Sequence, residues 1–109
     1  MKVRVISCAE REFAEAVDFY NAERPGLGYE LAEEVKRTLD RISAFPEAWP
    51  IFSRRTRRFI VRRFPYGVLY QVRADCVLVV ALLHMKRNPK TWEERATPEM
   101  DTTRAKEIR

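Results

Sequence analysis

The run from Cys76 to Met85 is apolar at nearly every position, and a chain of 109 residues has one small core in which to bury it. Its valines, and the Ala74-Asp75 reversal just before it, favour a central strand over a buried helical segment. The residues leading up to it share that bias. Residues 57–64 interleave basic and apolar side chains and are predicted to form a strand with two unlike faces. Pro65-Tyr66-Gly67 is a turn signal, because proline interrupts a ladder and glycine tolerates unusual dihedrals. Residues 68–73, rich in valine and tyrosine, suit a pleated surface. Three successive strands are predicted, and everything else must pack against them.

Residues 2–6 form a short alternating segment, a fourth strand. Ser7 then stands three residues before Glu10, a capping-box pattern that predicts a helix start. Phe13, Ala16, Val17 and Tyr20 give that helix a narrow apolar stripe, broken by the Pro25-Gly26 pair. Leu27, Leu31, Val35, Leu39 and Ile42 mark a second helix, so the two form a helical hairpin. Both stripes read as core-facing. The connector from Phe45 to Phe52 is punctuated by Pro46 and Pro50, and its aromatics are predicted to plug the end of the core. The order β-α-α-β-β-β describes an α+β domain, a helical hairpin on one face of a four-stranded, mostly antiparallel sheet. Residues 1–92 are expected to make one domain. Residues 93–109, of mixed charge and without apolar period, are expected to be a frayed helix or a disordered end.

Charge is unevenly spread. Residues 54–92 carry ten Lys/Arg and one acid, a net of +9, whereas residues 1–53 carry −3 and residues 93–109 carry −1. Six arginines fall between positions 54 and 63. Such asymmetry suits an acidic or nucleic-acid partner, and equally a solvated sheet face. No apolar run reaches the ~20 residues of a membrane helix, and the N-terminus has too short an apolar core for a signal peptide, so the cytoplasm is expected. Cys8 and Cys76 lie far apart beside a single histidine, which gives no zinc set. Neither a metal nor a cofactor is expected.

The segment Arg62-Arg63-Phe64-Pro65-Tyr66-Gly67, followed by the closing residues His84, Arg87, Pro89 and Trp92, resembles the RelE/ParE toxin family of type II toxin–antitoxin modules, also known as plasmid stabilisation proteins. The resemblance spans roughly residues 2–92 and leans towards the ParE branch. It implies a small bacterial toxin that arrests growth and is silenced by a cognate antitoxin. ParE-like members poison DNA gyrase. RelE-like members cut messenger RNA on the ribosome, with basic residues on the sheet and an acid–base side chain near the last strand.

The candidate residues divide along that line. Metal-free RNA cleavage needs a base, an acid and cations for the phosphorane. His84, Arg62, Arg63 and Arg87 are the catalytic candidates if the chain is an RNase, with His84 supplying proton transfer. In strict alternation His84 shares a face with Cys76, Leu78, Val80 and Leu82; as a structural residue it would simply cap the last strand. A regular strand would place Arg62 with Arg58 and Arg63 with Arg57, on opposite faces. Either pair could bind phosphate or an antitoxin carboxylate, since the guanidinium fork suits both. Tyr66 and Tyr70 either stack on a partner or pack half-buried, and Trp92 is expected to seal the sheet edge. Arg57, Arg58, Arg62, Arg63, Tyr66, Tyr70, Arg87 and Trp92 are thus the candidates for antitoxin or target binding. No tyrosine follows the last strand, and arginines are poor proton acceptors at neutral pH. A gyrase-binding toxin is therefore favoured over a ribosome-dependent RNase. An inactive antitoxin-binding or nucleic-acid-binding module is the third reading.

Overall fold

The computed structural model describes residues 1–86 and the strand Ala105–Glu107; Arg87 and Trp92 lie outside the described residues. The elements run β1 (Lys2–Ile6), α1 (Ser7–Glu23), α2 (Leu27–Ala44), β2 (Ile51–Ser53), β3 (Thr56–Ile60), β4 (Tyr66–Val72), β5 (Cys76–His84) and β6 (Ala105–Glu107). The sheet order is β2-β3-β4-β5-β1-β6. The fold is α+β, a helical hairpin on a mostly antiparallel sheet, with β1 alone paired parallel, to β5. Six strands replace the predicted four. The connector contributes β2 at one edge. At the other edge Ala105–Glu107 pairs antiparallel with β1, although the stretch containing it had no strand signal. Among the described residues no helix is long and apolar enough to cross a membrane.

The apolar run occupies the middle of the sheet as β5, buried at every position from Cys76 to Leu83. From the helices, Leu31 and Ile42 of α2 are fully buried and Ala9 and Ala16 of α1 nearly so. Each large aliphatic side chain so placed contributes about 1.5–3 kcal/mol relative to exposure. The hairpin closes tightly because Gly28 leaves room for α1. Its N–H donates to Asn21 Oδ1 at 2.8 Å, and a Cβ there would collide with the Val17 carbonyl oxygen. Gly26, at φ +91°, makes the turn between the helices.

Four local expectations are corrected. Ser7 is the first helical residue rather than a cap; Ile6 holds the cap position and no side chain caps the helix. Phe45 is 65% exposed and plugs nothing, whereas Trp49 stacks on Phe59 at 4.1 Å between ring centroids. The basic strand stops at Ile60, and Arg62 and Arg63 lie in the turn into β4. Val61 and Phe64, three residues apart, are both buried, which a two-residue period cannot achieve. Arg63 consequently adopts φ +74°. Finally, a bulge near Leu69 and Tyr70 shifts the phase of β5: Tyr70 pairs with Val79, but Val68 pairs with Leu82 and Tyr66 with His84. His84 and Leu82 therefore share the helix-facing side with Val79, not with Cys76 and Leu78.

Candidate functional site

Two polar clefts flank the helical hairpin. The first, of about 270 Å³, lies between α2 and the β3–β4 connection and is lined by Glu34, Arg37, Thr38, Arg41, Phe59 and Arg62. Glu34 is buried, and its carboxylate accepts from Arg37 Nη1 at 3.2 Å with Arg63 Nη1 at 3.8 Å. Pairing of this kind is what makes a buried carboxylate tolerable. Thr38 Oγ1 donates to the Glu34 carbonyl at 2.9 Å, one turn back along the helix. Arg41 and Arg62 are exposed and make no ion pair among the described residues.

Arg63 ties the turn to α2. Its Nη2 donates to Glu30 Oε1 at 2.8 Å, and Arg24 adds a second cation to Glu30 at 3.6 Å. The Arg63 hydrogen bond, more than either cation's charge, holds the Glu30 carboxyl below its ordinary pKa. The remaining arginines of the basic stretch go elsewhere. Arg57, on the helix-facing side of β3, donates from Nη1 to the carbonyls of Trp49 at 2.6 Å and Glu47 at 3.2 Å, so it anchors the connector. Arg58 points to the opposite side, its guanidinium 4.5 Å from the Phe52 ring centroid and its methylenes against Gly67. The two arginine pairs expected from a regular strand are therefore not formed: Arg57, Arg58, Arg62 and Arg63 occupy four different environments.

The second cleft, of about 240 Å³, lies between α1 and the end of β5. His84 lines it with Glu12, Glu15, Phe19, Tyr20 and Tyr66. The Tyr66 and His84 rings meet edge-on at 5.2 Å, and Tyr20 meets Phe64 at 5.2 Å and Tyr66 at 6.3 Å. His84 Nδ1 accepts from the Lys86 N–H at 3.2 Å. Glu12 covers the edge of β5 beyond its last β1 partner, accepting from the Leu82 N–H at 3.1 Å. This surroundings is acidic and aromatic. His84 is thus brought together with Tyr66 and two glutamates, and not with Arg62 or Arg63.

Tyr70 is fully buried and its hydroxyl donates to the Pro46 carbonyl at 2.8 Å; burial raises its pKa. It has no face for a partner. Cys76 is buried, with its thiol pKa raised by burial and by nearby Asp75, while Cys8 is half-buried; both are free thiols. Among the described residues no group of three or more His, Cys, Asp or Glu side chains could hold a metal ion. Arg37 and Arg41 escaped the sequence reading. Two like charges four residues apart disfavour each other only slightly on an exposed helix, so the pair reads as a solvated face and carries no signal of a site.

A search of curated proteins finds no match. Among solved structures, the chain is similar to one described as a chromosomal ParDE toxin–antitoxin system from P. aeruginosa. The TM-score is 0.71 at 11% sequence identity, over 79% of this chain and 97% of the other, a likeness of fold. The family model for the ParE toxin of the type II toxin–antitoxin system parDE matches residues 5–89. That span takes in the helical hairpin, both clefts and the central strands, and the chain belongs to the ParE toxin family.

Proposed function

We propose that this protein arrests growth in the cytoplasm by binding DNA gyrase, and that a cognate antitoxin neutralises it. The observation that carries this reading is that, among the described residues, His84 stands apart from Arg62 and Arg63. Phosphodiester cleavage needs an acid, a base and a phosphate clamp aligned on one bond. In the described residues the one imidazole faces glutamates, which repel phosphate, and the unpaired guanidiniums of Arg41 and Arg62 line the other cleft. Binding a protein target asks only for a complementary surface. The antitoxin follows from family membership together with the basic balance of residues 54–92, which suits an acidic partner.

Purified protein is expected to inhibit supercoiling by gyrase, or to trap cleaved DNA with it, while leaving message on translating ribosomes intact. His84→Gln should keep its toxicity wherever it folds. Cuts in ribosome-bound message, lost about 10²–10⁴-fold in a folded His84→Gln protein, would instead establish the RNase reading. If folded protein does neither, an antitoxin-binding or nucleic-acid-binding module is what remains.

A further inference from the structure

We propose that the cleft between α2 and the β3–β4 connection seats the carboxylates of a partner-protein segment in which acidic and apolar residues alternate. The inference deepens the antitoxin reading and rests on it for the identity of that partner. Arg41 comes from the last turns of α2 and Arg62 from the turn after β3, so the cleft exists only in the folded chain. The other two arginines nearby, Arg37 and Arg63, are held by Glu34, which leaves the forks of Arg41 and Arg62 for a ligand. A guanidinium fork binds carboxylate with two parallel hydrogen bonds.

The surroundings favour a peptide over a nucleic acid. Phe59 forms one wall with Trp49 stacked upon it. Ile51 of the edge strand β2, 59% exposed, is the register partner of Arg57 and adds apolar surface on the same side of the sheet as Phe59. Carboxylates alternating with apolar side chains would satisfy both features. Appreciable nucleic-acid affinity needs several phosphates neutralised together, and among the described residues the cleft offers two guanidiniums outside ion pairs, which is too few.

Trp49 provides the readout. In the full chain carrying Trp92→Phe, so that Trp49 is the sole indole, a synthetic peptide alternating glutamate with leucine is titrated while fluorescence is followed. A saturable change that weakens with salt is expected. It should fall about tenfold or more in Arg41→Glu/Arg62→Glu, and by less in Arg41→Lys/Arg62→Lys, which keeps charge and loses the fork. Arg11→Glu/Arg55→Glu makes the same charge change at exposed positions outside the cleft and should bind nearly as the parent does. Circular dichroism establishes that each variant is folded. Equal loss in the Arg11/Arg55 variant, unchanged binding in the Arg41/Arg62 variant, or tighter cleft-dependent binding of a single-stranded oligonucleotide would each overturn the proposal. Gyrase and growth assays address the toxin reading separately, so a cleft that takes the peptide in an inert protein would sink that reading alone.

Discussion

The two clefts are assembled from the same parts, one helix of the hairpin and one strand end, yet they carry opposite charge. On the α1 side, Glu12 and Glu15 surround His84 with an aromatic cluster, and Glu12 is already committed to the Leu82 N–H. On the α2 side, arginines from the helix and the turn surround a single buried carboxylate. The difference shows why net charge is a poor guide to a site. The basic meander does not present one basic surface. It spends Arg57 on the connector, Arg58 on Phe52 and Arg63 on α2, and leaves Arg62 to act with a helix that the sequence marks as acidic.

The most damaging test strikes what both clefts share. Gly28→Val should force α2 away from α1, because any Cβ there meets the Val17 carbonyl and lies 2.7 Å from Asn21 Cγ. Overpacking of this severity costs about 3 kcal/mol or more, a fall in Tm of about 15 °C for a domain this size. Thermal unfolding would measure it, and a Tm within a few degrees of the parent would mean that the clefts do not depend on hairpin closure.

A smaller effect should be confined to one side. Glu12→Ala leaves the Leu82 N–H without its carboxylate, at a cost of about 1 kcal/mol. Amide hydrogen exchange should quicken at Leu82, while peptide binding beside Arg41 and Arg62 stays as it was. Loss of that binding would show the two clefts to be coupled.

The smallest effect is a pH dependence on the α2 side. Hydrogen bonding from Arg63 depresses the folded-state pKa of Glu30, so its stabilising contribution is present above the ordinary carboxylate range and lost as pH falls through the depressed value. Glu30→Gln should therefore lower Tm slightly at neutral pH and not at all once Glu30 is protonated in the parent. A gap between the two proteins that persists in acid would assign the effect to something other than the Arg63 pair.

These differences also explain what could be read from the residues alone. The apolar stripes of both helices and the run from Cys76 to Leu83 are repeated signals, each residue supporting its neighbours, and the α+β class followed from them. The limits of the basic strand did not follow, because arginines and apolar residues stay mixed past Ile60 while the chain turns to bury Val61 and Phe64 together. His84 was grouped correctly with Leu82 but wrongly with Cys76 and Leu78, since a bulge leaves no mark on composition. β2 was missed as three residues between prolines and a turn, too short to show a period. The basic cleft was invisible for a different reason. Arg37 and Arg41 look like the solvated side of a helix until tertiary packing sets Arg62 opposite them.

The parallel pairing of β1 with β5 has a consequence for how the molecule is made. β1 finds its neighbour in the last of the central strands, with both helices and the β3–β4 hairpin between them in the chain. Until β5 emerges, Val3 and Val5 have no strand partner and the helical hairpin has no sheet to cover. Such non-local closure slows folding, since the entropy of the intervening chain must be lost before the contact forms. The cleft joins α2 to the connection between β3 and β4, so it is complete only when the helical hairpin lies on the sheet.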